Sequence, residues 1–250
     1  KELVRRQAAA FADAQDRGDL YTLVNYATTT MMTTHLAADD PEGARRCARE
    51  SMAQWSQTGF FVQHWQAMAY EPDVDLYLGN GGAAYDRLLR DLPALRRSML
   101  LNVQFVRGMT CYARGRCAVA SIGSVPKLRR ARIAEARRMA RRLARERMPW
   151  TSALAAMVSA VAENADGRRD ESIASLRRAV TAAESAGMAM HAAASKHRLG
   201  EAIGGSEGAA LTAAARAQID GEGIRNAARW LAIYLPGTWE GDGPRAKRRR

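Results

Sequence analysis

The densest chemistry in this sequence is electrostatic. Residues 127–147 read KLRRARIAEARRMARRLARER, ten Lys and Arg against two Glu, a net charge of +8. Guanidinium groups at this density bind phosphate or carboxylate, or simply keep a surface in water. Ala136, Met139, Ala140 and Leu143 share one helical face, so the segment reads as an amphipathic helix that docks by this seam and turns its arginines outward. A solvated helix face is the plainest reading. Among specific partners, an acidic protein surface held by Arg130, Arg137, Arg138, Arg141, Arg142 and Arg145 comes before nucleic acid. Phosphate contacts would use the same groups, but no aromatic side chain interleaves with the charge and no nucleic-acid module is recognisable. Glu135, three residues from both Arg132 and Arg138, is expected to form ordinary surface ion pairs.

Other residue groups capable of chemistry are scattered. His191 and His197 stand six apart, on different faces of a helix, where they cannot chelate a metal as an i, i+4 pair does. His64, beside Trp65, reads as a partly buried helix residue. The acids of EPDVD (Glu71, Asp73, Asp75) read as a loop or a helix cap. GNGG at 79–82 lacks the following Gly-Lys-Ser/Thr and the preceding strand of a phosphate-binding loop, so its glycines are assigned to a turn. In GGSEG (204–208), Gly is expected to stop one helix and Ser206 to cap the next. Cys47, Cys111 and Cys117 have no metal-ligand spacing and read as buried, reduced thiols. No nucleophile has a local activating partner. No catalytic residue, metal or cofactor is therefore assigned.

The elements that position these residues are helical. Alternating β-branched runs are absent, whereas helix signals recur. Asp39-Asp40-Pro41-Glu42 places a capping Asp before Pro at the first helical position, opening a helix through Trp55 to a stop near Gly59. Phe61, Trp65 and Met68 form an apolar stripe that Pro72 should end or kink. Trp150, Leu154, Met157 and Val161 form another before Gly167; Ile173, Leu176, Val180 and Ala183 follow, up to Gly187. Ala192, Ser195, Leu199 and Ala202 make a stripe of small residues. Breaks are expected near Gly18, Gly79, Gly115 and Gly167. The composition is 47% hydrophobic but only 6% aromatic, so Ala, Leu and Met must supply most of the packing.

In Ala153–Val180, Gly167 is followed by Ser172, Leu176 and Ala179, a turn and then small residues where two helices cross. This resembles a tetratricopeptide-like unit. Gly79, Ala84 and Leu88 repeat the spacing, with Asp91 in place of the second small residue, and RGDLYTLVNYATTT is a fainter echo. The expectation is a right-handed superhelical array of antiparallel helix hairpins over residues 1–237, with a sub-boundary near 121–126 and a disordered basic tail at 238–250. From Met148 onward the chain also resembles the C-terminal helical region of bacterial multidomain proteins, in which a Ser/Thr protein kinase domain precedes an AAA/STAND-type ATPase module. Gly187-Met188, an Arg198-Leu199-Gly200 turn, Gly204-Gly205, Gly223-Ile224-Arg225-Asn226 and Leu235-Pro236-Gly237 carry this resemblance; Ala227 departs from it where the family tends to have Pro.

The net charge of +12 is local: residues 127–147 supply +8 and the five basic residues of 245–250 supply +5, leaving −1 elsewhere. The chain opens on Lys1 without a signal-peptide pattern, and its longest uncharged run, 20–38, holds six Thr and a His. We therefore expect a non-enzymatic, cytoplasmic segment of a longer polypeptide, without a membrane span, that binds a protein partner or neighbouring domains of its own chain. The resemblance implies a sensory or scaffolding role beside a kinase or ATPase. A helical regulator gripping nucleic acid through residues 127–147 is the alternative.

Overall fold

Asp40 starts a helix as its neighbours require. Its Oδ1 accepts a hydrogen bond from the Gly43 amide at 2.8 Å, and Pro41, which has no amide hydrogen to lose, takes the first helical position. Asp19 and Asn226 cap the helices Leu20–Tyr26 and Ala227–Tyr234 in the same way, within a fold that is all-helical. The computed structural model describes residues 2–239, and among them no strand occurs. The helices are α1 (Glu2–Asp16), α2 (Leu20–Tyr26), α3 (Met32–Ala37), α4 (Pro41–Gln54), α5 (Val62–Tyr77), α6 (Gly81–Arg97), α7 (Gln104–Ala120), α8 (Arg129–Arg145), α9 (Pro149–Ala165), α10 (Arg169–Ser185), α11 (Ala189–Ile203), α12 (Gly205–Gly221) and α13 (Ala227–Tyr234). A π-helical stretch, Ala27–Met31, joins α2 to α3 without a break. Among the described residues no helix is long and apolar enough to cross a membrane.

From α4 to α12 each helix packs on the next. The α9–α10 hairpin shows why. Gly167 adopts φ +77°, a left-handed turn that a side chain would strain. Five residues later Ser172 is buried at the crossing and its hydroxyl donates to the Ala160 carbonyl at 3.0 Å, with Leu176 and Ala179 fully buried beyond it. The α5–α6 hairpin repeats the pattern with Ala84 and Leu88 at 0% exposure.

Two sequence expectations, and the helix end offered as one alternative for Pro72, fail where packing overrides local propensity. Pro72 lies inside α5 rather than ending it: Trp65, Met68 and Ala69 before it and Val74, Leu76 and Tyr77 after it are all buried. That burial outweighs the roughly 3 kcal/mol an internal proline costs. Gly115 is no break but a mid-helix contact in α7, where a Cβ would stand 2.5 Å from Val158 Cγ1. Arg198-Leu199-Gly200 is likewise helical. Gly200 and Gly208 let α11 and α12 meet backbone to backbone, and a Cβ on Gly200 would lie 2.5 Å from the Gly208 carbonyl oxygen.

α13 does not extend the series. It turns back across the molecule to pack on α5, with further contacts to α11 and α12. The Arg225 amide donates to the Ala37 carbonyl at 2.9 Å, Arg229 pairs with Asp39 at 3.3 Å, and Arg116 donates to the Ile233 carbonyl. One buried apolar cluster consequently runs from Met32 to Trp239, across the sub-boundary expected at 121–126. Trp239, expected to lie in the tail, is 4% exposed and donates to the Leu235 carbonyl at 3.0 Å. Residues 240–250, with Arg245 and the terminal arginines, lie outside the described residues.

Candidate functional site

α8 turns its Ile133, Ala136, Met139, Ala140 and Leu143 seam inward, as expected for an amphipathic docked helix. Its arginines then divide. Arg137 and Arg141 lean over α9 and form one wall of a groove of about 840 Å³. Arg130, Arg138, Arg142 and Arg145 are exposed but lie outside that groove. The opposite wall comes from α10, through Arg177, Arg178, Thr181 and Ala182. The floor is α9, where Ser152, Ala155, Ala156 and Ser159 follow the i, i+3, i+4, i+7 spacing of one helical stripe.

Four arginines and one acid, Glu163, therefore line the groove. Glu163 is engaged, accepting from the Ser175 hydroxyl at 2.5 Å, while Arg178 donates to the same Ser175 oxygen at 2.8 Å. Arg137 pairs with Asp166 at 2.7 Å and Arg177 with Glu207 at 3.1 Å, both near the surface. Among the described residues Arg141 has no carboxylate partner. Small residues below and guanidinium groups on both sides make a trough with room at its floor and excess positive charge at its rims.

Glu135 is not a surface acid. It is 7% exposed, accepts from the Tyr85 hydroxyl and from Arg114 at 2.5 Å each, and has Arg132 stacked over the Tyr85 ring at 3.7 Å. Arg138, by contrast, makes no pair with it. Burial beside Glu135 pushes the Tyr85 phenol up to about 12. The sequence spacing pointed to Glu135 and Arg132, but it did not show that α6 and α7 close over them.

EPDVD also differs from the expected loop, since all three acids lie within α5. Asp75 is 2% exposed and receives Arg45 at 2.6 Å and Arg87 at 2.9 Å; Arg87 also reaches Glu71 at 2.8 Å. Asp73 faces the other way, to Arg116 at 2.9 Å, and burial pushes its carboxyl above the ordinary range despite that cation. Around this pair lies a second cavity, of about 200 Å³, between α3, α5, α7, α11 and α13. Tyr70, Tyr112, His191 and Tyr234 also line it. His191 sits in T-shaped contact with Tyr234, ring centres 4.8 Å apart. Burial, reinforced by the charge of Arg116, pushes its imidazole down to about 3, so it is neutral at ordinary pH. Burial pushes the Tyr70 phenol up to about 12 and raises Tyr112 and Tyr234 as well.

No sequence signal united these residues, because they come from helices far apart in the chain. Arg177 and Arg178 were missed for a related reason. Nothing in their dipeptide says that α10 faces α8 across α9. The cysteines are all free thiols, but only Cys117 is fully buried; Cys47 and Cys111 are half-buried, a correction to the expectation for all three. Ser206 does not cap α12, because Gly204, at φ +65°, occupies the cap position and Ser206 falls inside the first turn. Among the described residues no group of three or more His, Cys, Asp or Glu is placed to hold a metal ion. No family model, no curated protein and no solved structure matches this chain.

Proposed function

We propose that this chain is a non-catalytic interaction domain whose groove over α9 holds an acidic, amphipathic helix of a protein partner or of a neighbouring domain. The observation that carries this reading is the pairing of a small-residue floor with arginine walls contributed by two different helices. Small side chains spaced three and four apart let a second helix approach α9 closely, in the manner of ridges entering grooves. Arg137 and Arg141 on one rim and Arg177 and Arg178 on the other then meet carboxylates flanking the partner's apolar stripe. Such rims chiefly set partner choice and association rate, while the apolar floor supplies the contact area.

The same reading takes the hairpin series as a tetratricopeptide-like, right-handed superhelical arm. In a bacterial signalling protein it would act as a scaffold or sensor, biasing an upstream kinase or ATPase module through differential partner binding. Sequence resemblance in residues 148–237 supports that context.

The test uses a fluorescein-labelled amphipathic peptide of Leu, Ala and Glu, with a random DNA duplex in a parallel titration. Anisotropy should report saturable peptide binding that weakens at least about tenfold when Arg137, Arg141, Arg177 and Arg178 are replaced together by Ala. Duplex binding that is tighter than peptide binding, falls steeply with salt and is abolished by replacing Arg138, Arg142 and Arg145 would overturn the proposal in favour of nucleic acid.

A further inference from the structure

The cavity beneath α13 shares no lining residue with the α9 groove, and its lining is unusual for a core. Arg116 is 3% exposed, and its Nε has no hydrogen-bond partner among the described residues. The ring nitrogens of His191 and the hydroxyls of Tyr70 and Tyr234, on half-buried residues of the same lining, make no hydrogen bond with any described residue either. Buried polar groups ordinarily find partners, because each one left unmet costs about 1–3 kcal/mol. The unmet Arg116 nitrogen, with three further polar groups open to the same cavity, points to an occupant that supplies hydrogen bonds.

The lining also defines the chemistry of that occupant. Leu36, Met109, Trp230 and Ile233 provide apolar walls beside the rings of Tyr112, His191 and Tyr234. The two charged groups, Asp73 and Arg116, neutralise one another at 2.9 Å. A net-charged ligand would lose its hydration and gain no counter-ion in return. A volume of about 200 Å³ admits a ring system somewhat larger than benzene, since a cavity of roughly 150 Å³ takes benzene.

We infer that this cavity is a binding site for a neutral, one- or two-ring aromatic molecule carrying a hydrogen-bonding group. Its ring lies against Trp230, Tyr112 and Tyr234, and its polar edge meets His191 and Arg116. Three of the residues enclosing it, Trp230, Ile233 and Tyr234, belong to α13, so the ligand bridges the C-terminal helix to α5 and α7.

Calorimetric titration of the whole chain with phenol, indole and benzamide, and with benzoate as the anionic control, tests the inference. At least one neutral probe should bind with a dissociation constant below about 1 mM, and benzoate at least about tenfold more weakly. Binding should fall at least about tenfold in His191→Phe, which removes the hydrogen-bonding edge, and in Met109→Trp, which fills space from a half-buried position. Circular dichroism identifies any variant that fails to fold, and the other then decides. No heat from any neutral probe, benzoate binding as tightly as they do, or affinity unchanged in both folded variants would overturn it. Acidic-peptide binding is read separately, so failure here leaves the α9 groove untouched.

Discussion

Two of the molecule's inter-helix hollows are built by opposite rules. Over α9 the floor is Ser and Ala, the rims are arginines, and the space opens to solvent. Beneath α13 the walls are Trp, Tyr, Met and Ile, the charges are paired, and the chain's own last helix closes the top. Where the chain supplies a covering helix, its large side chains narrow the hollow to about 200 Å³ and an internal ion pair lines it. Where it supplies none, the side chains shrink and positive charge is left exposed. The contrast separates residues that hold the fold from residues available to something else, and each half of it can be broken by substitution.

The largest effect should come from the closed side. Arg116→Leu removes the cation facing Asp73 and the donor to the Ile233 carbonyl at once. Stranding one member of a buried ion pair costs about 3–5 kcal/mol. Urea denaturation of this variant should show a loss of that order, or outright failure to fold. A change under about 1 kcal/mol would mean that α13 is not anchored as described.

Next comes the α11–α12 crossing, the last of the series. Gly200→Ala should gain about 1 kcal/mol of helix propensity. The new Cβ, however, would stand 2.5 Å from the Gly208 carbonyl oxygen and 2.4 Å from Thr212 Oγ1. The first of these is backbone and cannot rotate away, so overpacking of about 1–3 kcal/mol should prevail. A net destabilisation in thermal unfolding confirms the close approach, and a stabilised variant refutes it.

These two sites also show what the sequence disclosed. Helix class and most hairpin turns were legible because they are local: Asp40-Pro41 caps its own helix, and Gly167, Ser172 and Ala179 belong to one hairpin. Gly115 and Gly200 misled because a glycine that ends a helix and one that lets two helices touch look alike in sequence. The arginine wall of α8 was half legible. Its amphipathic period showed which residues face outward, but not that Arg137 and Arg141 share a trough with Arg177 and Arg178. The Asp73–Arg116–His191 cavity was invisible, since its members approach one another only after α5, α7 and α11 have packed. The return of α13 hid for the same reason: Asp39 and Arg229 lie at opposite ends of the chain.

A smaller effect concerns pH. His191 is held near 3 when folded against an ordinary value near 6.5, so below 6.5 the unfolded chain takes up a proton that the folded chain refuses. Its contribution is therefore complete above pH 6.5 and is lost progressively as pH falls toward 3. His191→Phe should barely change stability at pH 7.5. It should flatten the fall in Tm between pH 6.5 and about 4 relative to the parent. Asp39, Asp40 and Glu146, whose carboxyls hydrogen bonds hold low, steepen the acid limb in both proteins and cancel in the difference. Parallel acid limbs would show that the imidazole is not shielded.

The smallest stability effect belongs to the open side, and there its smallness carries the argument. Arg141 is exposed and pairs with no carboxylate among the described residues, so Arg141→Ala removes no recorded intramolecular hydrogen bond or ion pair. Its unfolding free energy should stay within about 0.5 kcal/mol of the parent, the range of neutral surface changes. Arg137→Ala loses the pair with Asp166 and should cost no more than about 1 kcal/mol. If these guanidiniums exist for a partner, both variants should bind the acidic peptide several-fold more weakly despite their near-parental stability, with the loss shrinking as salt rises. A variant that loses stability but keeps affinity would place Arg141 with the residues that hold the fold, and the distinction between the two hollows would collapse.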